Sequence, residues 1–269
     1  MLVFPQLVTG ASAVYPVTRR TIQRTVVNAL PDGSAVVFAD PDAAAAGWQL
    51  HASEMTLAEW NAIKTLFVAT SGMWQTFTFL DPTGNLLADS EALNAGAWTN
   101  GGLIELTTSI ADPFGKTRAT RAINAGSSAE SVAQILDIPG NFQYCLSVWA
   151  RTVGTSGVAL TISTTGGSAV KSFALNGTWT RISLSGNLAQ STTSVTFGAQ
   201  LAAGASVDLF GMQVEAQLAA SDYKMTETQG GVYAKARFAQ DQLTVTAQST
   251  DVYDAVISIT SISNGDTEG

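Results

Sequence analysis

WQTFTFLDPTGNLL, residues Trp74 to Leu87, decides the fold. Phe77, Phe79 and Leu80, with Thr78 between the phenylalanines, form a short strand pattern. Asp81-Pro82-Thr83-Gly84-Asn85 follows as a dense turn signal. The texture of the chain differs on the two sides. Upstream come long strand-like runs and one helical pattern. Downstream come short strands at even spacing, until Tyr223. The stretch therefore reads as a doorway from the first part of one domain into a second, and the chain beyond residue 226 reads as the return to the first.

Bulk properties narrow the function classes. Charged residues make up 13% of the 269, and the many Val/Ile/Thr-rich runs indicate a mainly β protein. The formal charge of −8 argues against non-specific nucleic-acid binding. A single cysteine, Cys145, and a single histidine, His51, exclude an intramolecular disulfide and a cysteine-rich zinc site. No apolar run reaches membrane-spanning length, so no membrane insertion is expected. The first residues lack the basic segment of a signal peptide.

Upstream of the doorway, residues 1 to 16 read as an extended arm that packs on its own domain or on a neighbour, because Pro5, Gly10 and Pro16 discourage helix. Val17 to Ala29 and Ala35 to Ala39 form a hairpin around Leu30-Pro31-Asp32-Gly33. Arg19, Arg20 and Arg24 make the one basic cluster. It is either a solvated face or a contact with an acidic neighbouring subunit, so these three are the candidate oligomer-interface residues. Asp40-Pro41-Asp42 is expected to be a turn, and Trp48, Leu50 and Ala52 alternate as a half-buried strand. Thr56-Leu57-Ala58-Glu59 is a capping box opening a helix to Gly72, with Leu57, Trp60, Ile63 or Lys64, and Phe67 on one face. This part is α+β with one helix.

From Leu86, nine strands are expected: Leu103 to Thr107, Thr117 to Asn124, Ser131 to Asp137, Phe142 to Arg151, Val158 to Ser163, Ala169 to Leu175, Trp179 to Ser185, Ser194 to Leu201 and Ser206 to Glu215. Glycine, proline and asparagine turns separate them. Such spacing indicates a β-sandwich of jelly-roll type. Val232 to Phe238, Gln242 to Ala247 and Tyr253 to Ile262 are too few to stand alone, so they pair with residues 1 to 85. The domains are thus 1–85 with 227–269, and an insertion at 86–226. The tail after Ser263 is expected to fray.

The segments NLLADSEALNAGAW, DPFGKTRAT, YCLSVWARTV, GTWTRISLSG, VDLFGMQVEAQ and SDYKMT, in this order, resemble a jelly-roll module of bacteriophage tail and tail-fibre proteins. That module is similar to carbohydrate-binding modules. Lys-Met-Thr after Tyr223 departs from the usual Pro-Thr. FPQLVTGASAVYPVTRRT, DGSAVVFADP, Met55 to Trp60 and FTFLDP resemble phage distal-tail and minor-tail proteins of the tail tip and baseplate, which are similar to tail-tube subunits. This resemblance implies a ring, hexameric in that family, with an outward jelly roll that touches host glycans. It also implies other tail proteins as partners, and a place in the virion tail after assembly in the bacterial cytoplasm. A glycan-binding adhesin without ring assembly is the alternative, and a polysaccharide-degrading enzyme ranks third. The resemblance also implies a structural calcium, for which Asp112 and Glu215 are the carboxylates to test. No other cofactor is expected.

No catalytic constellation stands out. The chain has no G-x-S-x-G, the glycine pairs lack a phosphate-loop lysine, and His51 has no partner in the pattern. No enzymatic activity is expected. Sugar binding needs aromatic platforms with polar groups beside them. Strand phase sets Leu146 and Val148 on one face and Ser147, Trp149 and Arg151 on the other. It likewise parts Ile182 and Leu184 from Trp179, Arg181 and Ser183. Trp149, Trp179, Arg151 and Arg181 are therefore candidate carbohydrate contacts, with Trp98 as a loop candidate. Core or rim packing of the tryptophans is the competing reading.

Overall fold

The computed structural model describes residues 1–10, 13–152, 154, 156–189 and 191–262, with the backbone alone at 41–44 and 262. The expected frayed tail lies outside these residues. In chain order the strands are β1 (Val14–Ala29), β2 (Ala35–Met55), β3 (Phe77–Leu80), β4 (Thr99–Asn100), β5 (Ile104–Ile110), β6 (Ala119–Asn124), β7 (Glu130–Leu136), β8 (Tyr144–Thr152), β9 (Gly157–Thr164), β10 (Gly167–Ala174), β11 (Thr180–Gly186), β12 (Val195–Leu201), β13 (Ser206–Glu215), β14 (Val232–Phe238), β15 (Val245–Ser249) and β16 (Val252–Ile262). The helix α1 (Leu57–Ala69) follows β2. The chain divides into two compact units: residues 1–7, 13–79 and 233–269, and residues 8–12 and 80–232.

The first unit is a sheet ordered β1-β2-β16-β14-β3, with β15 on β16. The capping box forms: the Glu59 amide donates to Thr56 Oγ1 at 3.3 Å and the Thr56 amide to Glu59 Oε2 at 2.8 Å. Trp60, Ile63 and Leu66 are the buried helix residues, in one core with Trp48, Leu50, Phe77, Phe79 and Phe238. Leu57, expected on that face, is 45% exposed, because it stands in the first turn beyond the core's edge. The start of the N-terminal arm, residues 1–7, packs on the first unit. Phe4 is buried, and its amide donates to the Thr78 carbonyl at 2.9 Å, so the arm pairs beside β3.

The β1–β2 hairpin turns where expected. Gly33 holds φ +85, and Asp32 Oδ1 accepts from the Ser34 amide at 3.0 Å. The Asp40-Pro41-Asp42 turn does not form. β2 continues through it, and the pairing is instead broken between Ile22 and Arg24 on the opposite strand. A proline is tolerated in a strand where the ladder is interrupted. Among the described residues, β16 pairs with β2 only as far as Ala45, and the hairpin beyond that point is a two-stranded ribbon. Val27, Val37 and Phe38 on it are more than half exposed.

The second unit is a β-sandwich of two five-stranded antiparallel sheets, β10-β9-β12-β7-β4 and β11-β8-β13-β6-β5. β9 pairs with β10, β8 with β11, β7 with β12 and β6 with β13. Four strands run out and four return beside them, with successive strands alternating between the sheets except at the β9–β10 hairpin, where the chain turns back. This is the jelly-roll winding. The alternating apolar residues face inward: Leu146, Val148, Leu160, Ile162, Phe197 and Val214 are fully buried. Tyr144 joins them because its hydroxyl has a partner, the Pro139 carbonyl at 2.7 Å.

Candidate functional site

The outward side of the β11-β8-β13-β6 sheet carries the chemistry. Strand register aligns two rows across it. Arg181, Trp149 and Phe210 stand side by side on β11, β8 and β13. The next row holds Arg151, Asp208 and Arg121 on β8, β13 and β6. Trp179, just before β11, extends this row, with the Arg151 guanidinium carbon 4.7 Å from its ring centroid. Phe114 meets Trp149 and Phe210 edge-on, each at 5.9 Å between centroids, and is 59% exposed. The face thus combines exposed aromatic surface with guanidinium groups.

Its electrostatics are built around one buried carboxylate. Asp208 accepts from Arg121 Nε at 2.7 Å and Nη2 at 3.1 Å, and from Arg151 Nε at 3.0 Å. The hydrogen bond to Asp208 is the main cause that raises the Arg121 pKa. Arg181 Nη2 donates to Ser147 Oγ at 3.1 Å and makes no ion pair among the described residues. Among the described residues, three N–H groups here are buried without an acceptor: Trp149 Nε1, Trp179 Nε1 and Arg181 Nε. Each unmade hydrogen bond costs about 1–3 kcal/mol, and a cluster of them on one face requires a reason.

Trp149, Trp179, Arg151 and Arg181 therefore stand together, partly exposed, as strand phase indicates. Trp98 does not join them. It is buried, and its Nε1 donates to the Asp89 carbonyl at 3.0 Å, so it plugs the core from its loop. Arg121, Asp208 and Phe114 were missed from sequence. The alternation of Asp208 and Phe210 with Val207 and Leu209 was the available signal.

The calcium candidates do not fit a metal. Asp112 Oδ2 receives Arg118 Nε at 2.7 Å, while Oδ1 accepts the Phe114 and Lys116 amides at 2.8 and 3.1 Å. Burial alone would raise its pKa, but these bonds outweigh that and hold it below the ordinary 3.8. Asp112 therefore orders the turn that lifts Phe114 onto the face. Glu215 Oε1 pairs with Lys224 Nζ at 2.7 Å, and Oε2 accepts from Gln213 Nε2 at 2.8 Å. Burial again opposes and the hydrogen bonds win, leaving Glu215 below the ordinary 4.5. Among the described residues, no three His, Cys, Asp or Glu side chains gather as metal ligands would. Cys145 is fully buried, and burial pushes its thiol pKa up, so it packs as a small apolar residue.

In the first unit, Arg19 Nη2 donates to the Tyr233 hydroxyl at 2.9 Å and Arg24 lies 3.5 Å from Asp40. Arg20 lines a shallow hollow of about 350 Å³ with Ile22, Trp48 and Met73. The outward side of the other sandwich sheet has a groove of about 620 Å³ lined by Ser163, Thr164, Ser194, Thr196 and Ile135. It offers hydroxyls but neither charge nor an aromatic platform.

No protein-family model matches the sequence, and no curated protein matches it. Solved structures match over about half of the chain. The C-terminal family 22 carbohydrate-binding module of Clostridium thermocellum Xyn10B aligns at 16% identity and a TM-score of 0.41, over 53% of this chain and 99% of that one. The family 22 xylan-binding domain of Paenibacillus barcinonensis Xyn10C aligns at 11% identity and 0.39, over 51% and 94%. The enzymatically active domain of bacteriophage CBA120 tailspike protein 4 aligns at 12% identity and 0.40, over 51% of this chain and 22% of that one.

Proposed function

We propose that the protein is a structural, non-enzymatic subunit that displays a glycan-binding module, with the outward face of β11, β8, β13 and β6 as the binding surface. The observation that carries this is the joint placement of Trp149, Trp179 and Phe114 with three N–H donors that lack acceptors. Pyranose rings present an apolar face for an indole and hydroxyl oxygens for donors at its edge. Small shifts of the part-buried guanidinium groups would uncover those donors to the ligand. A glycan array with the full chain, followed by titration of W149A and W179A, tests this. Binding that weakens at least about tenfold in both variants, with melting unchanged, supports the reading. Failure to bind any glycan, or full binding by both variants, overturns it.

A second element of the proposal concerns the first unit. We place it as the assembling base of a phage-type tail tip, forming a ring with copies of itself and meeting other tail proteins. This reading rests on the sequence resemblance and on the two-stranded ribbon, which exposes Val27, Val37 and Phe38. An isolated two-stranded hairpin is marginal in water, and its free edge and apolar surface favour pairing with a neighbour. Light scattering on the full chain should give the mass of a ring. A monomer at all concentrations would leave the adhesin without ring assembly.

A further inference from the structure

We infer that the saccharide bound at this face is anionic, and that its acidic group sits at Arg181. The inference rests on the glycan-binding reading above and adds the chemical class of the ligand.

The charge balance of the face carries it. Arg118, over the Phe210 ring and at the edge of the face, has two carboxylates, Asp112 at 2.7 Å and Glu91 at 2.9 Å, so the surplus lies away from it. Arg121 and Arg151 share Asp208, one carboxylate for two guanidinium groups. Arg181 has only the neutral Ser147 hydroxyl, and its Nε is buried without an acceptor. This surplus of positive charge occurs on a chain of net charge −8, so overall composition does not account for it. A guanidinium partly withdrawn from water without a counter-ion is complementary to an anion. The unmatched groups around Arg181 are also all donors: Trp149 Nε1, Trp179 Nε1 and Arg181 Nε. A neutral sugar brings hydroxyls that both donate and accept, and would leave the charge unmet. A carboxylate or sulfate ester brings only acceptors and answers both needs. The planar guanidinium fork suits either group.

The test uses the whole 269-residue chain and an array of uronate, sialate and sulfated oligosaccharides. Each is printed beside its carboxyl-reduced or desulfated counterpart. The expected result is binding to an acidic member and loss of at least about tenfold on its neutral counterpart. Affinity should also fall as salt rises, because the contact is ionic. R181Q should abolish the preference for the acidic member, while R181K, which keeps the charge but loses the fork, should retain part of it. Both variants should melt as the wild type does. Which acidic series binds separates a carboxylate from a sulfate. Equal binding to acidic and neutral members, or a preference that survives R181Q, overturns the inference and leaves the glycan-binding reading intact. No binding to any member overturns both.

Discussion

Gly211 sits where β13 gains one residue against β8, between Phe210 and Gln213, and holds φ +64. A Cβ there would stand 2.9 Å from the Tyr223 ring. G211A should therefore destabilise the sandwich by about 1–3 kcal/mol, the cost of a left-handed conformation for a non-glycine residue. Urea unfolding monitored by tryptophan fluorescence would measure it. Asn85 makes the same point with hydrogen bonds. Fully buried, it donates to the Met212 carbonyl at 2.9 Å and accepts from the Leu87 and Val214 amides at 3.1 and 3.0 Å. The turn signal around Asn85 was plain in the sequence. Its role as a tie to β13 was not, because those partners lie far along the chain. The tryptophans separate by the same logic. W98A should cost about 3–5 kcal/mol, as for a buried large-to-small change. W179A, on a partly exposed side chain, should leave the melting temperature near that of wild type. Calorimetry on the two variants checks the contrast.

At the scale of elements, local pattern proved informative wherever one face of a strand is buried. Alternation separates Leu146 and Val148 from Trp149 and Arg151 without knowledge of neighbours, since the side-chain period is two. It failed at Asp40-Pro41-Asp42, where proline chemistry favours a turn but pairing with β1 on either side, Asp40 with Arg24 and Ala45 with Ile22, keeps the chain extended. The helix needed no such help, because the capping box is complete within four residues. T56A should cost about 0.5–2 kcal/mol, measurable as a lower unfolding midpoint for the first unit. The closing segment of the sandwich is held outside any strand, by side chains and by backbone bonds such as that from the Ser90 amide to the Thr226 carbonyl at 3.2 Å. Tyr223 Oη meets Ser90 Oγ at 2.8 Å, and Thr226 Oγ1 donates to the Leu87 carbonyl at 2.7 Å. These bonds join segments more than 130 residues apart, which composition and spacing cannot show.

In the sandwich, two carboxylates set an acid response. Asp112 and Glu215 both have pKa values lowered below their ordinary 3.8 and 4.5. Groups depressed on folding add stability that is complete above their unfolded pKa and lost as pH falls through the folded one. The sandwich should keep its melting temperature from neutral pH to about 5 and lose stability progressively below about 4.5. K224M, which removes the partner of Glu215, should lower the melting temperature at neutral pH and make the further loss in acid smaller, because the folded-state pKa of Glu215 then rises while the unfolded one stays. Thermal melts across an acid series test both statements. On the assembly side, replacing Val37 and Phe38 by serine should lower the particle mass measured by light scattering. An unchanged mass would take the ribbon out of the interface.

The sequence by itself determined the mainly β class, the jelly-roll spacing, the helix with its cap and the faces of β8 and β11. Each of these is written in periodicity or turn chemistry within a dozen residues. Only the tertiary structure decided what those faces meet. Register across β11, β8, β13 and β6 brings Arg181 beside Trp149 and gives Arg121 and Arg151 one shared carboxylate. The same folding buries Trp98 and turns Asp112 and Glu215 from metal candidates into ion pairs with Arg118 and Lys224. Burial, pairing and net local charge depend on residues that are distant in the chain and adjacent in space. No reading of neighbours in sequence contains them.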